Sequence, residues 1–288
     1  MQVHSFLHSD TETYTHVLAD VQQQVCAIID PVLDFDAKSG HTDTASVDEV
    51  IAFVREQGWT LVYIIETHAH ADHISAAIHV KDELGGKLVI GQHITEVQKI
   101  FKKMFNFDSS FRTDASQFDI LTDEGETLTL GGITITAMYV PGHTRADMAY
   151  LAADDEKTVV FVGDTLFAPD VGTARCDFPG GDAKTLYQSI QKLLALPDET
   201  IMYLCHDYPS QGRKHCPTTT VAAQKLGNIH VKEGINEAEF VEMRERRDAT
   251  LEMPRLIIPS VQLNIDAGHF PEPEDNGTRY LKVPLNAL

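Results

Sequence analysis

Short apolar runs rich in Val, Ile and Tyr alternate along the chain with longer amphipathic stretches, the pattern of strands interleaved with helices. The runs predict strands over 25–32 (VCAIIDPV), 61–68 (LVYIIETH), 87–93 (KLVIGQH), 133–143 (ITITAMYVPGH), 158–167 (TVVFVGDTLF) and 200–208 (TIMYLCHDY). Helical periodicity predicts helices over 47–57, where Ser46 and Glu49 have capping-box spacing, and over 183–195, with Asp182 as N-cap and Pro197 as stop. A third helix follows Asn236 through EAEFVEMRERRDATL. The order of elements is that of an α/β chain, with mixed sheets covered by helices.

Four of these strands end in a histidine or an aspartate: His68, His143, Asp164 and His206. Strand ends in α/β sheets collect functional groups, because loops vary there while the sheet holds them rigid, so four such endings predict one shared site. No fixed-period repeat, low-complexity tract or Pro/Gly/Ser linker divides the chain, which predicts a single domain over 1–288, with 235–288 as a C-terminal helical and extended extension.

Charge narrows the partners. With 23 basic against 43 acidic residues in 288, the formal charge is -20, which repels phosphate backbones and anionic membranes over most of the surface. Nucleic acid is therefore excluded as the expected partner, while a local positive pocket for an anionic substrate is not. A mean hydropathy of -0.16 is that of an ordinary globular chain. No apolar run approaches the roughly 18 residues that span a bilayer, and the first residues lack a signal-peptide pattern, so the expected location is cytoplasmic with no membrane partner. Cys26, Cys176, Cys205 and Cys216 form no CxxC pair, which points to reduced thiols rather than a disulfide framework.

The chemistry concentrates in ETHAHADHIS, residues 66–75. Histidines two apart, His68 and His70, lie on one side of an extended chain, and the following turn can return Asp72 and His73 to the same point. Imidazole and carboxylate ligate Zn, Fe or Mn, and chance occurrence of HxHxDH in such a chain is on the order of one in several hundred. His143 in VPGHTRADM, Asp164 in FVGDTLF and His206 in YLCHDYPS are weak signals singly; their order after HxHxDH gives them weight. The nine histidines outside these motifs, His4, His79 and His269 among them, are expected at the surface.

THAHADH, PGHT, GDTLF and LCHDY resemble the metal-binding motifs of the metallo-β-lactamase superfamily over most of residues 15–230. That resemblance implies an αββα sandwich, two mixed sheets flanked by helices, with the metal at one edge between the sheets. GTARCDFPGGDAKTLYQSI followed by HDY is similar to the persulfide (sulfur) dioxygenases and their bacterial β-lactamase-like relatives, although a Gly-Arg-Thr-Asp-Phe segment of that branch reads Ala174-Arg175-Cys176-Asp177-Phe178 here. The tail from Asn264, NIDAGHFPEPEDNGTRYLKVPLN, resembles the bacterial branch.

By position, the branch implies one Fe(II) per chain held by His68, His143 and Asp164, with His70, Asp72, His73 and His206 orienting ligands and substrate around it. The implied reaction oxidises glutathione persulfide with O2 to sulfite and glutathione. Arg175, Tyr208 and Lys225 fall where relatives contact glutathione, and a homodimer is a reasonable assembly. A zinc thioester hydrolase like glyoxalase II is the competing expectation, since its seven metal-site residues are all present; they would then hold one or two Zn(II) around a bound hydroxide. A module that senses metal or redox state without turnover, using the metal or Cys176, is the third. For Cys176 itself a bystander role is expected over catalysis.

Overall fold

The computed structural model describes residues 1–209 and 212–286, so the last two positions of the 235–288 extension lie outside the described residues. The first half of the chain runs β1 (Gln2–His8), β2 (Thr13–Asp20), β3 (Val25–Ile29), β4 (Val32–Asp36), β5 (His41–Asp43), α1 (Ala45–Gln57), β6 (Thr60–Ile65), β7 (Ile74–Ser75), α2 (Ala77–Leu84), β8 (Lys87–Gly91), α3 (Ile94–Met104) and β9 (Ile120–Thr122). The second runs β10 (Thr127–Leu130), β11 (Ile133–Tyr139), β12 (Met148–Ala153), β13 (Thr158–Phe161), α4 (Ala183–Leu194), β14 (Ile201–Tyr203), β15 (Thr218–Thr220), α5 (Val221–Gly227), α6 (Glu237–Asp248) and α7 (Ile257–Asn264).

Among the described residues these strands form a mixed six-stranded sheet from each half, in the orders β1-β2-β3-β6-β8-β9 and β10-β11-β12-β13-β14-β15, with a small β5-β4-β7 sheet beside them. Three apolar clusters fix the layering. Leu18, Ile29, Ile65 and Val89 of the first sheet meet Ile135, Met148, Tyr150 and Phe161 of the second, which packs the sheets face to face. Val50 and Val54 of α1, Phe101 of α3 and Val261 of α7 cover the outer face of the first sheet. Leu186 and Ile190 of α4, Val221 of α5 and Phe240 of α6 cover the outer face of the second. The result is the expected α/β sandwich, helix on sheet on sheet on helix.

Local chemistry explains where the elements start. Asp182 accepts from Thr185 N at the head of α4, and Asn236 with Glu239 completes a capping box on α6. The box expected at Ser46 and Glu49 does not form: α1 begins after Thr44, and the Ser46 hydroxyl and amide both donate to Asp34 of β4. Strands also stop short of the expected ends, at Ile65, Tyr139, Phe161 and Tyr203, because the polar residues that follow leave the ladder and take other partners. No helix among the described residues is long and apolar enough to cross a membrane.

Candidate metal centre

Each histidine or aspartate expected at a strand end sits in the loop just beyond it, and each loop is fixed by its own hydrogen bonds. After β6, Thr67 N donates to Asp30 Oδ1 (2.8 Å) and Met148 N donates to Thr67 O (2.9 Å), which ties the 66–73 loop to both sheets. Its far side is held from α7, where the Asn264 amide nitrogen donates to His70 O and His73 O, each at 2.8 Å. His143 follows Gly142, whose φ of 140° and approach to the Leu186 backbone of α4 leave no room for a Cβ. Asp164 follows Gly163, at φ 53°, where a Cβ would stand 2.9 Å from Thr67 Oγ1. His206 follows β14, and its residue forms an isolated antiparallel bridge with Thr13 at the start of β2.

These loops converge so that His68, His143 and Asp164 form one group of donors within 4.8 Å of one another, and His70, Asp72, His73 and His206 form another. His68 Nε2 and His143 Nε2 lie 3.8 and 3.7 Å from Asp164 Oδ2. Two donors each about 2.1 Å from a shared cation can be at most about 4.2 Å apart, so this spacing fits one ion between them.

The outer nitrogens settle how the rings are presented. His143 Nδ1 donates to Arg175 O (2.7 Å), and His70 Nε2 donates to Asp30 Oδ1 (3.1 Å) with Glu66 Oε2 at 3.4 Å. Thr67 Oγ1 donates to Asp30 Oδ2 and so can accept from His68 Nδ1 at 3.0 Å. Thr13 Oγ1 pairs with His206 Nδ1 at 3.1 Å. Each ring thus directs its other nitrogen inward, and His68 Nε2, His70 Nδ1, His73 Nε2, His206 Nε2 and Asp164 Oδ1 are buried without a hydrogen-bond partner. A set of buried orphan lone pairs backed by oxygen acceptors is what a cation requires.

Electrostatics agree. Burial holds His68 well below the ordinary imidazole range, helped by His70 and His143, so it stays neutral and able to ligate. Burial brings His73 down to about 3. Burial opposes protonation of His206 as well, but the Asp72 and Asp164 carboxylates overcome it and raise the ring to about 9.

A cavity of about 410 Å³ opens onto this cluster, with Asp72, His143 and Asp164 at its floor and Phe167, Phe178 and Tyr208 on its walls. Residues 20–206 match the family described as the metallo-beta-lactamase superfamily, well over half of the chain. The chain belongs to that superfamily. It is 52% identical, over its whole length and that of the relative, to a probable metallo-hydrolase of Burkholderia pseudomallei. It is 44% identical to glyoxylase B2 of Dictyostelium discoideum, covering 100% of this chain and 98% of the relative. The persulfide dioxygenase ETHE1 of Mus musculus is 29% identical over 68% of this chain and 64% of its own. The crystal structure of ETHE1 from Myxococcus xanthus superposes with a TM-score of 0.73 at 30% identity, covering 93% of this chain and all of the other. The His/Asp cluster is accordingly a metal-binding site of the metallo-β-lactamase fold.

On this superfamily scaffold the structure brings together all seven residues expected at the metal and separates the three expected at substrate. Tyr208 lines the cavity, its ring stacked on His206 at 5.6 Å between centroids. Arg175 also lines it, but its guanidinium donates to both carboxylate oxygens of Asp177 at 2.6 Å and to Glu252 O. Lys225 is away from the cavity on α5, where its ammonium pairs with Asp198 at 2.7 Å; helical periodicity turns it outward. Cys176 is buried, its amide bound to Asp248, and burial pushes its thiol up, which leaves it protonated and unreactive. The expectation that the other nine histidines lie at the surface fails for His8, His16 and His230, all buried with hydrogen-bonded rings.

Several residues that shape the metal centre carried little sequence signal. Asp30 ends an apolar strand as Asp164 does and could have been read the same way. Glu66, whose carboxylate takes the Ser75 hydroxyl, adjoins the histidine motif without matching a ligand spacing. Thr13 and Asn264 reach the site from positions 193 and 58 residues from His206, a proximity no local pattern encodes.

Proposed function

We propose that this protein is a persulfide dioxygenase that uses one Fe(II) to convert glutathione persulfide, O2 and water to glutathione and sulfite, with release of two protons. The observation that carries the reading is the separate grouping of His68, His143 and Asp164, two imidazoles and a carboxylate, which suits mononuclear non-haem iron. The ETHE1 relatives support it. Iron bound there would supply redox chemistry and open positions for sulfur and dioxygen, which redox-inert zinc does not.

The chain's own residues do the remaining work. Arg175 O and the Asp30–Thr67 pair hold His143 and His68 in the ligating tautomer. Phe167 and Phe178 line the approach and exclude water around the reacting sulfur. His206, stacked on Tyr208 and backed by Thr13, offers its inner nitrogen as a hydrogen-bonding partner beside Asp164. Protein reconstituted anaerobically with stoichiometric iron is expected to consume oxygen when glutathione persulfide is added; no uptake sinks the proposal.

A second reading has its own observation. His70, Asp72, His73 and His206 form a group of donors, and the inner nitrogens of its three histidines lack partners, as a second cation of a zinc thioester hydrolase would need. Two metals per chain together with hydrolysis of S-lactoylglutathione and no oxygen uptake would establish that activity instead.

A further inference from the structure

The cations first expected to meet the substrate are engaged elsewhere, Arg175 with Asp177 and Glu252 O and Lys225 with Asp198. The same accounting holds for most of the ten arginines of the chain. Arg55, Arg112, Arg145, Arg213, Arg244 and Arg246 are each paired with a carboxylate, and Arg279 donates to Pro271 O. Arg247 and Arg255 remain, and neither side chain makes a hydrogen bond or ion pair among the described residues. Both line the cavity over the metal centre, Arg247 from the last turn of α6 and Arg255 from the segment that joins α6 to α7.

Two unpaired guanidinium groups in one cavity are unusual on a chain with 43 acidic residues and a net charge of -20, where a stray arginine has abundant carboxylates to meet. Leu251 and Pro254 stand between them on the same wall, so the C-terminal segment presents an apolar strip with a cation at either end. Across the mouth stand Asp10 and Glu12 from the turn between β1 and β2. A ligand that satisfies this rim is a small thiol carrier with free carboxylate groups and an ammonium group, its sulfur directed to the floor and its carboxylates to the arginines.

We infer that Arg247 and Arg255 form the carboxylate-binding subsite of the substrate cavity and select peptide thiols with a free carboxylate. The inference rests on the reading above that the substrate is carried on glutathione, but not on whether the sulfur is oxidised or a thioester hydrolysed. Guanidinium fits carboxylate geometry in a two-pronged pair, and loss of one such charged contact weakens binding by about tenfold. The role also gives the 235–288 extension a function, since both arginines lie within it.

The test is calorimetric titration of the purified, metal-loaded protein with S-methylglutathione, which binds without reacting, and with its glycine ethyl ester. The wild type is expected to favour the free acid over the ester. Arg247→Gln and Arg255→Gln should each raise Kd for the acid about tenfold, and the double variant should bind acid and ester alike, with metal content unchanged throughout. Equal binding of the acid by wild type and variants, survival of the acid preference in the double variant, or no binding by the wild type overturns the inference. Weakened binding in the variants of a protein that takes up no oxygen upholds this subsite and removes only the dioxygenase reading.

Discussion

His16 belongs to no motif, yet its Nε2 donates to Leu204 O at 2.9 Å and its Nδ1 meets Ser5 Oγ, so it ties the N-terminal strands to the segment that presents His206. Burial lowers its pKa to about 4, against 6.5 in an unfolded chain. Between those values the unfolded chain binds a proton that the folded one refuses. The stabilisation is complete above about pH 6.5 and is lost as pH falls toward 4, to a total of ~3 kcal/mol. Chemical denaturation at pH 7 and pH 4.5 should show a smaller acid-induced loss in His16→Gln than in the wild type. Asp30 acts at the same scale, through three hydrogen bonds, from Thr67 N, Thr67 Oγ1 and His70 Nε2. Asp30→Asn should weaken metal binding by about 10–100-fold in chelator competition. The contrast between Asp30 and His68 shows what a sequence exposes at this scale. His68, His70, Asp72 and His73 were legible because their spacing is improbable, whereas Asp30 looks like any aspartate that ends a strand.

Helix α6 is largely polar by sequence, and its importance lies in one buried pair. Arg244 donates to Asp248 Oδ1 through Nε (2.9 Å) and Nη2 (2.5 Å), and to Thr173 O through Nη1 (3.1 Å), while Asp248 Oδ2 accepts from Cys176 N (2.8 Å). The residue between those two contacts is Arg175, whose carbonyl orients His143, so the helix sets a metal ligand through one stretch of backbone. Arg244→Met would strand the Asp248 charge and should cost about 3–5 kcal/mol in denaturant unfolding, with earlier loss of metal to chelator. At the scale of elements, periodicity and capping found α4 and α6, whose N-caps are local. It did not find β1 and β2. β2 is buried throughout, yet it carries Thr13, Thr15, His16 and Asp20, whose partners are remote in sequence and which obscure its apolar pattern.

The whole molecule places its metal between its two halves. His68, His70, Asp72 and His73 come from the half that builds the first sheet, and His143, Asp164 and His206 from the half that builds the second. A cation bound there resists separation of the sandwich as well as serving chemistry. With metal present at 100–1,000 times its Kd, the linkage contributes about 3–4 kcal/mol, and chelation should lower Tm by about 5–15 °C in a melting experiment. The sandwich itself was legible from alternating elements and from the ordered motifs. The closure of the site from both termini was not, because it depends on contacts between Thr13 and His206 and between Asn264 and the histidine loop.

Those two contacts also impose an order on biosynthesis. A chain leaving the ribosome displays ETHAHADH early, but Asp164, His206 and finally Asn264 emerge only as translation nears completion. Until then the histidine loop lacks its anchor on α7 and half of its partners, so metal loading belongs to the released or nearly released polypeptide, and an abandoned nascent fragment offers the cell's metals an open run of imidazoles instead of an enclosed centre.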